Sequence, residues 1–310
     1  MSLLKYLKTE IPTVEYQAPT KATKKVVEPK TDKSKVIMND IKNLKTKIII
    51  PDVHSFERDP AAYEIMMKSL PIICDKYDVN EVIQLGDLLE VQEFSTHGRA
   101  NVFEQEVSYA EEIEWAVEEF WGRIHKIQSN VGLVGLMGNH EDRIHNEILN
   151  KKGFRGAMAK GMHDLVSPDK YYGEIGVKVI PYAAEQTSDS MYDITPNLSC
   201  IHGWSIAANA AKAHAGLAMG SSIIFGHTHR TESQISMNPK TGANIGTWSF
   251  GAIAKVHMRW QKKNAGNHSL GFGLVHTDGN LFNVNGIQMI PAGNRLECIL
   301  PDGTSLSVIR

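Results

Sequence analysis

From Lys47 onward, short apolar runs alternate with stretches whose apolar positions recur every three or four residues. Ile48-Ile49-Ile50 is β-branched, stops at Pro51-Asp52, and predicts a buried strand. Ala62, Ile65, Met66 and Leu70 predict a helix over 61–73, disturbed at Pro71. Residues 81–85 predict a second strand, ending at Gly86-Asp87. Phe103, Val107, Ala110, Ile113, Val117, Phe120, Trp121 and Ile124 predict a long amphipathic helix. Its other face carries Glu104, Glu111, Glu112, Glu114, Glu118 and Glu119 and reads as solvated. Further strands are predicted over 131–137, 177–180, 198–201 and 222–225, with an Ala-rich helix over 206–219. The last part holds turn-separated strand patterns, 272–276 with 281–284 around Asp278-Gly279 and 296–300 with 305–309 around Asp302-Gly303.

Strands that alternate with helices and give way to a β-rich end predict an α/β layered domain over 47–310. Residues after about 291 read either as a β appendage that contacts a partner or as the last strands of the core. Residues 1–46 differ in kind. The segment 1–47 holds eleven Lys against five acidic residues, so the remainder is acidic although the total is only −2. Pro12, Pro19 and Pro29 interrupt it, and few large apolar residues lie between Gln17 and Lys35. Such a stretch buries too little surface to offset its ordering entropy, and it reads as a disordered basic tail, apart from a short helix around Leu3–Leu7. A tether to nucleic acid or another partner, or a plain solvated tail, would use that charge.

Composition narrows the classes. Hydrophobic residues make up 42% and charged residues 22%, which allows a packed core and excludes collagen-like and disulfide-scaffold chains. The longest apolar runs are far short of the roughly 20 residues a membrane span requires. No secretory signal is visible, and Cys74, Cys200 and Cys298 are odd in number and widely spaced, so a reduced cytoplasmic location is expected. The thiols read as buried small apolar residues.

Five predicted strand ends carry metal-ligand residue types: Asp52-Val53-His54, Gly86-Asp87-Leu88-Leu89-Glu90, Gly138-Asn139-His140-Glu141, Ile201-His202-Gly203 and Gly226-His227-Thr228-His229. Strand C-terminal ends are where α/β sheets gather ligands. Carboxylate with imidazole suits Mn, Fe, Zn or Ni. Asp52 and His54 are two apart, as are His227 and His229, which on an extended segment points each pair to one side. Glycines before Asp87, Asn139 and His227 allow the backbone to approach an ion closely.

Together these pieces resemble the calcineurin-like metallophosphoesterase superfamily, with its D-x-H, G-D-x-x-D, G-N-H-[DE], H and G-H-x-H pattern. The resemblance covers roughly 47–290. Gly138–Arg143 (GNHEDR), His202-Gly203-Trp204 and Ile224–Arg230 (IFGHTHR) look most like bacterial and phage-encoded members. It implies a four-layer α/β/β/α sandwich, two mixed sheets flanked by helices, and two divalent ions, Mn foremost, with Fe, Zn, Ni or Mg as other occupants. Asp52, His54 and His229 would hold one ion, Asn139, His202 and His227 the other, and Asp87 would bridge them. His140 would be the general acid or a phosphate donor. Glu90 stands where the family often has Asp. It would orient His140 and raise its pKa.

The resemblance implies a phosphoester hydrolase. A phosphodiesterase or nuclease acting on nucleic acid or nucleotides is the first expectation. A phosphomonoesterase acting on protein or a small molecule is the second, weakened because no Arg-Gly follows 86–90. A scaffold that has kept the fold is the third. His97, with Ser95 and Thr96, and Asn139 are candidate phosphate contacts, and Arg143 reaches either the site or Glu147. His214 reads as a satisfied or exposed helical residue. Lys255, His257, Arg259, Lys262 and Lys263, with Trp248 and Trp260, form a basic and aromatic stretch suited to nucleic acid or to a solvated loop. No membrane partner is expected.

Overall fold

The structure, a computed structural model, describes residues 44–94, 107–150, 156–183, 187–217, 220–238, 242, 244–257 and 267–310. The basic tail with its short helix, Ser95, Thr96 and His97, Phe103 and Glu104, Met219, and Arg259, Trp260, Lys262 and Lys263 lie outside them.

The first half runs β1 (Lys45–Ile50), α1 (Pro60–Lys76), β2 (Val79–Gln84), α2 (Tyr109–Trp115), a π turn (Ala116–Trp121), α3 (Gly122–Ile127), β3 (Gly132–Leu136), α4 (Asp142–His145), α5 (Gly156–Val166), α6 (Pro168–Glu174) and β4 (Val177–Ile180). The second runs β5 (Tyr192–Thr195), β6 (Leu198–Ile201), α7 (Ala210–Leu217), β7 (Ser222–Phe225), β8 (Thr231–Met237), β9 (Asn244–Phe250), β10 (Leu270–Asp278), β11 (Leu281–Ala292), β12 (Arg295–Ile299) and β13 (Ser305–Ile309). These strands form two mixed sheets, ordered β13-β12-β11-β10-β1-β2-β3-β4 and β5-β6-β7-β9-β8. β1 to β4 pair in parallel, as do β6, β7 and β9, so their C-terminal ends carry the connecting loops to one edge of each sheet.

Period-two alternation places the layers. Ile48 and Ile50 face a core shared with α1, α2 and α3, whereas Ile49 between them faces a second core with Ile83, Val134, Leu136, Cys200, Ile224 and Val275. Cys200 and Ile224 look into that intersheet core, while Ile201, Ile223 and Phe225 look the other way, onto Ala210 and Ala211 of α7. The layers are therefore helix, sheet, sheet, helix, as the resemblance implies.

Several local expectations are corrected. α1 continues through Pro71, which stands on the exposed side of the helix. Asp59 caps the same helix through Ala61 N and Ala62 N, both at 3.0 Å, with Pro60 in the first turn. The Ala-rich helix is shorter than predicted, and β1 starts at Lys45, inside the stretch read as tail. The strands after 291 are no detached appendage. β12 and β13 extend the first sheet, Leu296, Cys298 and Leu300 are buried in its core, and Arg310 pairs with Asp59 at 2.5 Å. Cys74, Cys200 and Cys298 are free thiols, two of them buried. Among the described residues no helix is long and apolar enough to cross a membrane.

Candidate functional site

Five loops at the sheet edges are laced into one framework. The amides of Val53 and His54 donate to the Asp87 carbonyl at 3.0 and 2.9 Å. Gly226 N donates to His202 O at 2.8 Å, and His227 N to the Asp52 carboxylate at 2.9 Å. Behind them, Glu141 accepts from Gly138 N (2.8 Å), Asp87 N (3.0 Å) and Leu89 N (2.8 Å), joining the loops after β2 and β3. The Gln84 amide closes the turn at Gly86 by accepting from its N–H and donating to its carbonyl. Such bonds hold strained backbone. His54, Asp87, His227 and His229 all have positive φ, between 51° and 67°, which for non-glycine residues costs about 1–3 kcal/mol each. The two glycines before Asp87 and His227 and the one before Asn139 are needed for space. A Cβ at Gly138 would overlap Asp87 Oδ1, one at Gly226 would overlap Asp52 Oδ1, and one at Gly86 would stand 2.6 Å from His202 Nδ1.

The side chains from these loops form two donor sets. In the first, His229 Nε2 lies 3.1 Å from Asp52 Oδ2 and 3.0 Å from His54 Nε2. In the second, His202 Nε2 lies 3.4 Å from Asp87 Oδ2 and 3.0 Å from Asn139 Oδ1, with His227 close by. Asp87 Oδ2 is also 3.8 Å from His54 Nε2, which puts it between the two sets. The donor chemistry fits divalent ions: imidazole nitrogens and carboxylate oxygens converge, mostly buried, within 4.8 Å of one another. The distal nitrogens are fixed as ligands require. His202 Nδ1 donates to Leu85 O at 2.9 Å, and His54 Nδ1 to Glu90 Oε2 at 2.8 Å, leaving each Nε2 turned into the site.

Electrostatics follow from burial and proximity. Burial opposes ionisation of Asp87, but His202, His140 and His54 outweigh it and hold the carboxyl well below its usual range. Asp52 is lowered likewise, burial being overcome by His229 and His202. Burial also disfavours a charge on His202, yet Asp87 and Asp52 push it up to about 9, while burial and His202 bring His227 down to about 4.

His140 stands beside the two sets, its ring 4.5 Å from that of His54. Its Nδ1 donates to the Glu90 carbonyl at 3.0 Å, and its Nε2 accepts from Arg143 Nη2 at 2.8 Å. Arg143 therefore reaches the site, and its Nη1 donates to the same Glu90 carbonyl at 2.6 Å. Burial works against protonation of His140, but Asp87 and then Glu90 raise its pKa. The Glu90 carboxylate serves His54 first, lying 2.8 Å from its Nδ1 against 3.5 Å for His140.

Three contributors escaped the sequence reading. Glu112 is buried and not solvated: it accepts from Ser55 Oγ (2.7 Å), Glu90 N (2.6 Å) and Val91 N (3.1 Å). Glu141 was visible only as part of a motif. His268 lines the same cavity of about 160 Å³ as His54, Asp87, Asn139, His140, His227 and His229, and no spacing signal marked it. His214 is the satisfied helical residue expected, buried in α7, donating to Ala210 O and stacked on Phe225. Of the basic and aromatic stretch, Trp248 packs against Phe282 and Lys255 is paired with Glu57 at 3.3 Å, while Arg259, Trp260, Lys262 and Lys263 lie outside the described residues.

No protein-family model matches the sequence, and no curated protein matches it. Among solved structures, Vps29 of Chaetomium thermophilum is 10% identical over 86% of this chain and 94% of that one, with a TM-score of 0.40. The nuclease MPE of Pseudomonas putida is 15% identical over 77% of this chain and 87% of that one, with a TM-score of 0.32. The resemblance to the metallophosphoesterase superfamily stands on the layered fold and on the convergence of all five motifs at one edge.

Proposed function

We propose that this chain is a metal-dependent phosphoester hydrolase with a dinuclear centre, acting on phosphodiesters such as nucleic acids or nucleotides. The observation that carries this reading is the position of Asp87, a single buried carboxylate between two independent sets of His, Asp and Asn donors. Asp52, His54 and His229 would hold one ion, Asn139, His202 and His227 the other, and Asp87 would serve both. Mn²⁺ suits such mixed donors, as do Fe, Zn and Ni. Bound there, the pair would supply a hydroxide nucleophile at neutral pH and polarise the phosphoryl oxygens.

The protein's own groups do the rest. Glu90 and the Leu85 carbonyl keep the His54 and His202 rings in one tautomer. Asp87 Oδ1 accepts from His140 N at 2.9 Å, which fixes the general acid relative to the shared carboxylate. His140 lines the cavity, and its Nε2, which in the neutral ring accepts from Arg143, would in the protonated ring give a proton to a departing ester oxygen. Arg143 beside it offers positive charge to a phosphoryl oxygen.

The test compares hydrolysis of bis-p-nitrophenyl phosphate and p-nitrophenyl phosphate in Mn²⁺, with Asp87→Asn as control. The expected result is faster cleavage of the diester and an inactive variant. Turnover of the monoester alone would replace the diesterase by a phosphomonoesterase. No turnover with any divalent ion and no bound metal would overturn the reading.

A further inference from the structure

We propose that His268 and Ile206 form a subsite for the organic substituent that stays on phosphorus in a diester, and so set the preference for diesters over monoesters. This rests on the phosphoesterase reading above. Neither residue belongs to the five strand-end motifs or to the two donor sets, yet both line the cavity those donors form.

Four imidazoles run along the cavity in a row. The His140 ring lies 4.5 Å from His54, His54 lies 4.9 Å from His229, and His229 lies 4.8 Å from His268. His140 and His268 are thus the two ends of this series of ring contacts. With the leaving oxygen at His140, the substituent that is not expelled would lie toward His268. The position of His268 is built into the fold. The next residue, Ser269, donates its N–H to His229 O at 2.8 Å, accepts at its carbonyl from Ala252 N at 2.9 Å, and accepts at Oγ from Thr231 N at 2.6 Å.

Among the described residues, Ile206 gives the cavity its one apolar lining side chain. It lies on the loop between β6 and α7 and is 78% exposed, yet it borders a cavity whose other lining groups are all polar. An apolar side chain held in water at the lip of a polar site gains when an organic group covers it. A monoester or inorganic phosphate brings only a charged oxygen to that lip, which makes no use of a sec-butyl surface. A diester brings carbon. A cavity lined by a flat imidazole and an aliphatic group suits an aromatic or sugar substituent best.

Binding separates this proposal from the reaction itself. The Mn²⁺-loaded full chain is titrated calorimetrically with diphenyl phosphate and with inorganic phosphate. Ile206→Ala and His268→Ala are expected to weaken diphenyl phosphate about tenfold, the scale of a lost apolar or polar contact, and phosphate by less than about twofold. Ile206→Val should restore most of the diester affinity, and metal content should match the wild type in every variant. In turnover, KM for bis-p-nitrophenyl phosphate should rise with kcat little changed. Equal losses for both ligands, unchanged affinities, or a wild type that binds neither ligand overturn the subsite. A chain that hydrolyses neither ester but shows the selective loss in binding would retain the subsite while the phosphoesterase reading fails.

Discussion

The carboxylate of Glu90 lies 2.8 Å from Nδ1 of His54, nearer than to the His140 ring it was expected to orient. The carboxylate still raises the pKa of His140 as expected, from 3.5 Å, and so acts on both rings. Glu90 extends past the loop backbone, whose carbonyl takes the His140 proton, and reaches the next ring. Removing it therefore acts first on metal binding. Glu90→Ala is expected to weaken metal affinity about 10–100-fold, the usual effect of losing a partner behind a ligating His. Metal titration of the variant checks this. Unchanged affinity with reduced kcat would return Glu90 to a role at His140.

Glu112 supports the same loop from the other side. Glu112→Ala leaves the amides of Glu90 and Val91 and the Ser55 hydroxyl without their buried acceptor, and should cost roughly 3 kcal/mol of stability in urea unfolding. Its ionisation gives a second readout. Burial raises the Glu112 pKa above the usual 4.5, outweighing those hydrogen bonds. A carboxyl raised in the folded state favours folding when protonated. That contribution is present below the unfolded value and is lost as pH rises through the folded one. The stability of wild type relative to Glu112→Gln should therefore fall as pH rises above 4.5, the ordinary carboxyl value. A flat difference would sink the assignment.

The glycines divide by their surroundings. Gly138→Ala and Gly226→Ala drive a methyl group into Asp87 and Asp52 and should abolish high-affinity metal binding. Gly161 lies in α5 with nothing within 4 Å of an added Cβ, so Gly161→Ala should leave metal binding alone and stabilise the helix by up to about 1 kcal/mol. Metal content and urea midpoints for the three variants test the contrast.

Arg143 lowers the pKa of His140 by its charge, against the raising influence of Asp87 and Glu90. Arg143→Ala should thus lower kcat and move the basic limb of the pH–rate profile to higher pH. A basic limb that moves down, or does not move, would contradict the contact as the source of the effect.

Much of this was legible in the sequence, and particular residues show why. Strands at 177–180, 198–201 and 222–225 were bounded as found, since short apolar runs that stop at Pro181, His202 and Gly226 leave little choice. Seven donors were legible because each closes a strand and so must meet the others at one edge. Glu112 was misread because a carboxylate on a helix is usually solvated. It lies four residues before buried Ala116, on the apolar face, where three donors wait for it. His268 was invisible for another reason. It belongs to an irregular segment before β10, and only the tie between Ser269 and His229 brings it to the site. Pro71 misled in the opposite direction, since nothing local tells that it will stand on the exposed side of the helix.

The bonds from Glu141 to the amides of Gly138, Asp87 and Leu89 run entirely within the polypeptide. A chelator should accordingly strip the donors while far-ultraviolet circular dichroism stays nearly unchanged, unlike a zinc finger, which unfolds with its ion. A socket whose shape is its own does not have to choose its guest by folding around it. The ions it holds would then mirror the metal economy of its surroundings, and one polypeptide could serve with different metals as supply shifts.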